Sequence, residues 1–124
     1  MRVAIVDDHA GVRAVLREVL TRQPGVEVVG EASDGDEVLA MVDAAGPDLV
    51  VMDYRMRRVD GLSATHQLKA ARPSVEVAAV TSTADPTVVA LLLAAGASCH
   101  FEKSRIDGLV EYLAARAMER RGDG

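Results

Sequence analysis

The sequence predicts an α/β domain built on a doubly wound, five-stranded parallel sheet. Three observations carry that expectation. Five short apolar runs alternate along the chain with longer segments of helical period. The runs are almost continuously apolar, as strands covered on both faces are. The chain has 124 residues, enough for one ordinary core and not for two. Right-handed crossovers between parallel strands then leave a sheet wound outward in both directions.

Taken in order, strands are expected at 3–6, 26–30, 49–52, 77–80 and 97–101, with helices near 10–21, 35–45, 61–71, 86–95 and 105–119. In the first helix Val12, Val15, Leu16, Val19 and Leu20 form one apolar stripe. Ile106, Leu109, Val110 and Leu113 do the same in the last. Pro24-Gly25 and Gly46-Pro47 close the first two helices, and Pro73 stops the third. Asp85 reads as an N-cap before a proline at the first helical position, and Gly96 closes that helix. Ser104 with Asp107 resembles a capping box for the last helix. One domain is expected over 1–119, with the charged, Gly-containing residues 120–124 as a frayed end or linker stub.

Composition narrows the function. The net charge of −5 argues against non-specific nucleic-acid or membrane-surface binding. A single cysteine, Cys99, excludes an internal disulfide, and its apolar surroundings predict a buried, inert thiol. Met1-Arg2 leads directly into a strand with no signal-peptide pattern, and no run is long enough to span a membrane. A cytoplasmic domain is the expectation.

In an open parallel sheet the ligand crevice lies outside the carboxyl ends of the strands. Strand one ends in Asp7-Asp8, strand three in Asp53, strand four in Thr81-Ser82, and strand five runs out to Lys103. Three carboxylates, a hydroxyl and an amine therefore converge on one rim. Three close carboxylates do not all stay ionised in a partly desolvated pocket without a cation. Oxygen-only ligation suits Mg2+. Beside such a cation, a free oxygen of Asp53 is a nucleophile for phosphoryl transfer, with Thr81 and Lys103 placed to stabilise the phosphoryl oxygens. The stretch DLVVMDYRM, 48–56, then ends its strand in a reacting group and not merely in a cap.

The motifs VAIVDDH, DLVVMDYRM followed by Asp60-Gly61, AAVTSTAD and AAGASCHFEKS stand in order over essentially the whole chain. Together they resemble the receiver domain of bacterial two-component response regulators, and in DDH and the lysine without a following proline, those of helix-turn-helix transcriptional regulators. The resemblance implies a flavodoxin-like (βα)5 fold with strand order 2-1-3-4-5. It implies Asp53 as phosphoacceptor, and Mg2+ held by Asp8, Asp53 and the backbone carbonyl of Arg55, with Asp7 acting through metal-bound water. Thr81 and His100 become the switch pair, and Lys103 the partner of the phosphoryl group. The implied donor is a phosphohistidine on a histidine kinase or phosphotransfer protein. The output would be a downstream protein or a second copy meeting the 86–119 face, with no direct nucleic-acid or membrane contact. Such a domain is not an enzyme beyond slow loss of its own phosphoryl group.

The chain departs from the family pattern at three places. Arg57-Arg58 replaces the usual turn, so Arg55, Arg57 and Arg58 are expected as loop charges beside the acidic pocket. His100 stands where Tyr or Phe is usual, and Ser104 where many receivers have proline, so no cis peptide is expected there. Two other functions are consistent with parts of the pattern. One is a pseudo-receiver acting as a constitutive interaction module. The other is a Mg2+-dependent aspartyl phosphatase, disfavoured by the lack of a second aspartate two residues after Asp53 and of a cap insertion. His9 and His66 are expected to be structural or solvated, and Asp34, Asp36 and Glu37 to be first-turn charges. The segment 86–97 carries no charge, so part of its apolar surface, with Leu92 included, is expected to remain uncovered.

Overall fold

The computed structural model describes residues 1–83 and 85–122. Five strands form one parallel sheet: β1 (Arg2–Val6), β2 (Glu27–Ala32), β3 (Leu49–Asp53), β4 (Glu76–Thr81) and β5 (Cys99–Glu102). Their order is β2-β1-β3-β4-β5. The helices are α1 (Ala10–Thr21), α2 (Val38–Ala45), α3 (Gly61–Ala71), α4 (Pro86–Ala94) and α5 (Ile106–Gly122). The alternation read from the sequence is the alternation found.

Successive strand residues face opposite sides, and each side has its own helices. Ala4, Val6, Val50, Met52, Val77 and Ala79 pack with Val38 and Val42 of α2, Leu68 of α3 and Leu92 of α4. Val3, Ile5, Leu49, Val51, Ala78 and Val80 pack with Leu16 and Leu20 of α1 and with Leu109 and Leu113 of α5. Every residue of β3 is buried, which is why its sequence is continuously apolar up to the aspartate. Each fully buried Leu or Ile contributes about 1.5–3 kcal/mol. The sheet is thereby a rigid base for whatever its rim carries.

Most of the sequence punctuation acts as expected. Gly46 ends α2 in the left-handed region at φ 63°, and Gly96 follows α4 at φ 119°. Asp85 caps α4 by accepting from Thr87 N at 2.9 Å. Arg72, before Pro73, has left helical geometry. The Ser104 cap is a correction. Ser104 lies inside a 3-10 turn, Lys103–Arg105, that follows β5 directly, so it does not occupy the residue before α5. The last helix continues to Gly122, through the start of the expected tail, and residues 123–124 lie outside the described residues. Cys99 is half-buried, with burial pushing its thiol pKa up. No helix among the described residues is long and apolar enough to cross a membrane.

Candidate functional site at the carboxyl rim of the sheet

Strand register brings the rim together. Val6 of β1 pairs with Met52 of β3, so Asp7 and Asp53 both leave the sheet at the same edge. Asp53 in turn pairs with Val80 of β4, and Thr81 with Glu102 of β5, one residue before Lys103.

Asp53 is 3 % exposed. Its Oδ1 lies 3.1 Å from Lys103 Nζ, and its buried Oδ2 has no hydrogen-bond partner among the described residues. A capping carboxylate accepts from the next turn's N–H groups; an unpartnered buried oxygen is instead an open valence. Burial, followed by the charge of Asp7, raises the pKa of Asp53 to about 6 even though Lys103 opposes the shift. Asp7 is saturated by contrast: Oδ1 accepts from His9 N at 2.9 Å, and Oδ2 meets Lys103 Nζ at 2.9 Å. Asp8 Oδ1 stands 2.9 Å from His9 Nδ1, but out of line for a hydrogen bond, and is likewise without a hydrogen-bond partner among the described residues. The two orphaned oxygens of the rim belong to Asp8 and Asp53. A carboxylate-only donor set with open oxygens on those two residues fits a hard, oxygen-seeking cation such as Mg2+.

His9 is exposed, as expected of a solvated residue. Its Nδ1, with one oxygen each from Asp7 and Asp8, forms a trio of possible ligand atoms within 4.8 Å of one another. Lys103 bridges Asp7 to Asp53, so in this structure the ammonium is the counter-charge of the rim. Burial lowers the Lys103 pKa, but hydrogen bonds and charge from Asp7 and Asp53 outweigh it and the net shift is upward. Lys103→Ala is therefore expected to lower the metal-free stability by about 1–3 kcal/mol, with most of the loss recovered on adding Mg2+. Urea titration with and without the metal checks this; equal losses in both would mark the lysine as a purely structural ion pair.

Thr81 is fully buried, and its hydroxyl donates to Thr83 O at 2.7 Å. Its Oγ1 also lies 2.6 Å from His100 Nε2. A hydroxyl has one proton to give, so at this second contact it accepts, and His100 carries its proton on Nε2. The two residues are thus directly bonded, although they are 19 positions apart in sequence.

Arg55 and Arg57 are exposed in the loop after β3. Arg58 turns elsewhere: its guanidinium meets both carboxylate oxygens of Asp36, at 2.7 and 2.9 Å, and Glu37 at 3.1 Å. Arg58 is therefore paired with Asp36 and Glu37 and not a free loop charge, contrary to the expectation. Asp34 is not a plain first-turn charge, since it is buried and bonds that same loop. A cleft of about 710 Å3 opens beside the rim, lined by Asp7, Asp8, Asp53 and Lys103 and continued by apolar residues of α1 and Ile106.

A parallel sheet whose rim sets a buried, half-partnered aspartate beside two further carboxylates and a lysine defines a class: a doubly wound α/β domain with an acidic, lysine-bridged pocket. The family described as the response regulator receiver domain matches residues 3–114. The chain is 37 % identical over 115 residues to response regulator GacA of Pseudomonas viridiflava, covering 93 % of this chain and 53 % of that protein. It is 40 % identical over 109 residues to protein-glutamate methylesterase/protein-glutamine glutaminase 3 of Anaeromyxobacter dehalogenans, covering 87 % of this chain and 32 % of that protein. The solved signal receiver domain of the response regulator NarL from Mycobacterium tuberculosis superposes with a TM-score of 0.85 at 29 % identity, covering 94 % of this chain and 95 % of that one. The chain belongs to the response regulator receiver domain family. It spans about a third to a half of the length of these two full-length relatives.

Proposed function

We propose that this domain is a phosphorylation-activated switch with Asp53 as its phosphoacceptor. The observation that carries the reading is the Asp53 carboxylate: buried at the end of β3, with one oxygen on Lys103 and the other unpartnered. The Asp53 oxygen attacks the phosphorus of a phosphohistidine on a histidine kinase or phosphotransfer protein. A P–O bond forms, the P–N bond breaks, and the imidazole nitrogen leaves with the electron pair. Asp8, Asp53 and the Arg55 carbonyl would hold Mg2+, with Asp7 acting through water, and the cation supplies charge neutralisation for the transferring group. Lys103 then shifts from a carboxylate to a phosphoryl oxygen. Thr81 turns its hydroxyl toward the phosphoryl group and gives up its bond to Thr83. The test is intact-mass analysis after exposure to a small-molecule phosphodonor, with and without Mg2+. One added phosphoryl group, dependent on the metal, is expected; no adduct under either condition would leave only a constitutive interaction module.

His100 reports the second half of the switch. Its ring bonds Thr81 on one side and lines a surface groove with Glu102 and Arg105 on the other. Phosphorylation is expected to shift its ring resonances, because the Thr81 oxygen that His100 bonds reorients when the hydroxyl leaves Thr83 for the phosphoryl group. Unchanged His100 signals with the pocket occupied would break the link.

The output surface is read from α4. Leu92 is fully buried, correcting its place in the expected uncovered strip, while Leu91 and Leu93 are 49 % and 44 % exposed. Exposed leucines on an uncharged helix fit a protein partner or second copy at the 86–119 face. Changing Leu91 and Leu93 together to Glu should alter stability by less than about 1 kcal/mol and abolish phosphorylation-dependent association in light scattering. Association that survives the double change would place the contact elsewhere.

A further inference from the structure

One buried carboxylate ties the loop after β2 to the loop after β3. Asp34 is 2 % exposed. Its Oδ1 accepts from Gly35 N and Val59 N, both at 2.8 Å, and its Oδ2 from Arg58 N at 3.0 Å. Gly35 N also meets Val59 O at 3.2 Å. A Cβ at Gly35 would stand 2.4 Å from Val59 O, so the two loops touch backbone to backbone at the one residue that allows it. Burial pushes the Asp34 pKa up, but the N–H bonds from Val59, Arg58 and Gly35 outweigh it, and the carboxyl stays below its usual value. On the outside Arg58 grips Asp36 and Glu37, and Glu37 accepts from Ser33 N at 2.8 Å.

The loop after β3 is pinned at its base as well. Tyr54 N donates to Val80 O at 3.1 Å, and Gly61 N to Tyr54 O at 2.7 Å. Arg55, Met56 and Arg57 are the short span left between the two anchors. An ordinary N-cap carboxylate serves the first turn of its own helix. Asp34 directs two of its three bonds to residues 24 and 25 positions away, into the loop that carries Arg55.

We propose that Asp34 is a positioning residue for the cation site: by fixing Arg58 and Val59 it restrains, before any cation arrives, the short span carrying Arg55, whose backbone carbonyl is the third protein ligand of the proposed Mg2+ site. The inference rests on reading the Asp8–Asp53 pocket as a Mg2+ site. A span already ordered loses little conformational entropy when its carbonyl becomes a ligand. Residues that orient a metal's ligands from behind characteristically change affinity about 10- to 100-fold when removed.

The experiment is a calorimetric Mg2+ titration of wild type, Asp34→Ala and Asp34→Asn, with amide exchange at Arg58 and Val59 measured metal-free. Asp34→Ala is expected to bind Mg2+ about tenfold more weakly, with faster exchange at both amides and a smaller metal-induced shift at the Arg55 amide. Asp34→Asn keeps an Oδ1 that accepts from Gly35 and Val59 and loses only the bond to Arg58. It is expected at an affinity between those of wild type and Asp34→Ala, with faster exchange at Arg58 alone. Wild-type Mg2+ affinity in a folded Asp34→Ala, whatever its stability, overturns the proposal. If that variant does not fold, wild-type affinity in Asp34→Asn overturns it instead. A wild-type protein that binds no Mg2+ removes the pocket reading itself, and this inference with it.

Discussion

Asp53→Asn is expected to make the metal-free protein more stable at neutral pH while abolishing the phosphorylation proposed for it. The two effects have one cause. Folding places the Asp53 carboxylate where its pKa rises from 3.8 to about 6. Because the folded value is raised, the ionised group opposes folding: the cost is fully present above pH 6, declines as pH falls from 6 to 3.8, and is gone below that. Two pKa units correspond to roughly 3 kcal/mol. Asparagine introduces N–H groups that need partners of their own, so the net gain is expected at about 1–3 kcal/mol. Thermal melts across pH 4 to 8 check it, with the gain fading toward the acid end. Mg2+ should narrow the gap by stabilising wild type preferentially. A loss of stability at pH 7.5, or a gain that persists unchanged at pH 4, would contradict this account of the pocket.

Gly61→Ala is expected to cost about 2–4 kcal/mol. A Cβ at this position would lie 2.0 Å from Asp53 O and 2.9 Å from Tyr54 Cα. Both are backbone atoms, so no rotamer change relieves the overlap. Either the first turn of α3 lifts from the end of β3 or Asp53 itself moves. Gly11→Ala supplies the contrast: nothing lies within 4 Å of its Cβ position, and it sits in α1. There the helix-propensity gain of about 0.5–1 kcal/mol should appear undiluted. Urea unfolding of the two variants side by side is the measurement. A Gly61→Ala protein as stable as wild type would mean that the end of β3 has slack that this packing denies.

The sheet and most of its rim were legible in the sequence because both are encoded locally. Val3–Val6 and Leu49–Met52 are buried on both faces and therefore read as strands, and the parallel arrangement then fixes where Asp7, Asp53, Thr81 and Lys103 emerge. The less legible features are those whose cause lies far along the chain. Asp34 looks like a helix-start charge because its residues 33–37 say so; its decisive partners are the amides of Arg58 and Val59. Arg58 reads as part of a basic loop beside the acidic pocket until the fold brings Asp36 and Glu37 to it. On α4 the difficulty is of another kind. A helix apolar all round has no phase, so its sequence does not say that Leu92 turns inward while Leu91 and Leu93 stay out.

Lys103 is the last of the rim residues in chain order. A nascent chain therefore carries Asp7, Asp8, Asp53 and Thr81 before the ammonium that balances them has been made. The lysine arrives directly behind β5, an edge strand paired on one side only, with β4. Docking of that strand thus completes the sheet and delivers its counter-charge in one event, and a transient peeling of the same edge withdraws both. This edge strand is in this way tied electrostatically to Asp7 near the opposite end of the chain, so the acidic rim helps keep the final βα unit from opening on its own.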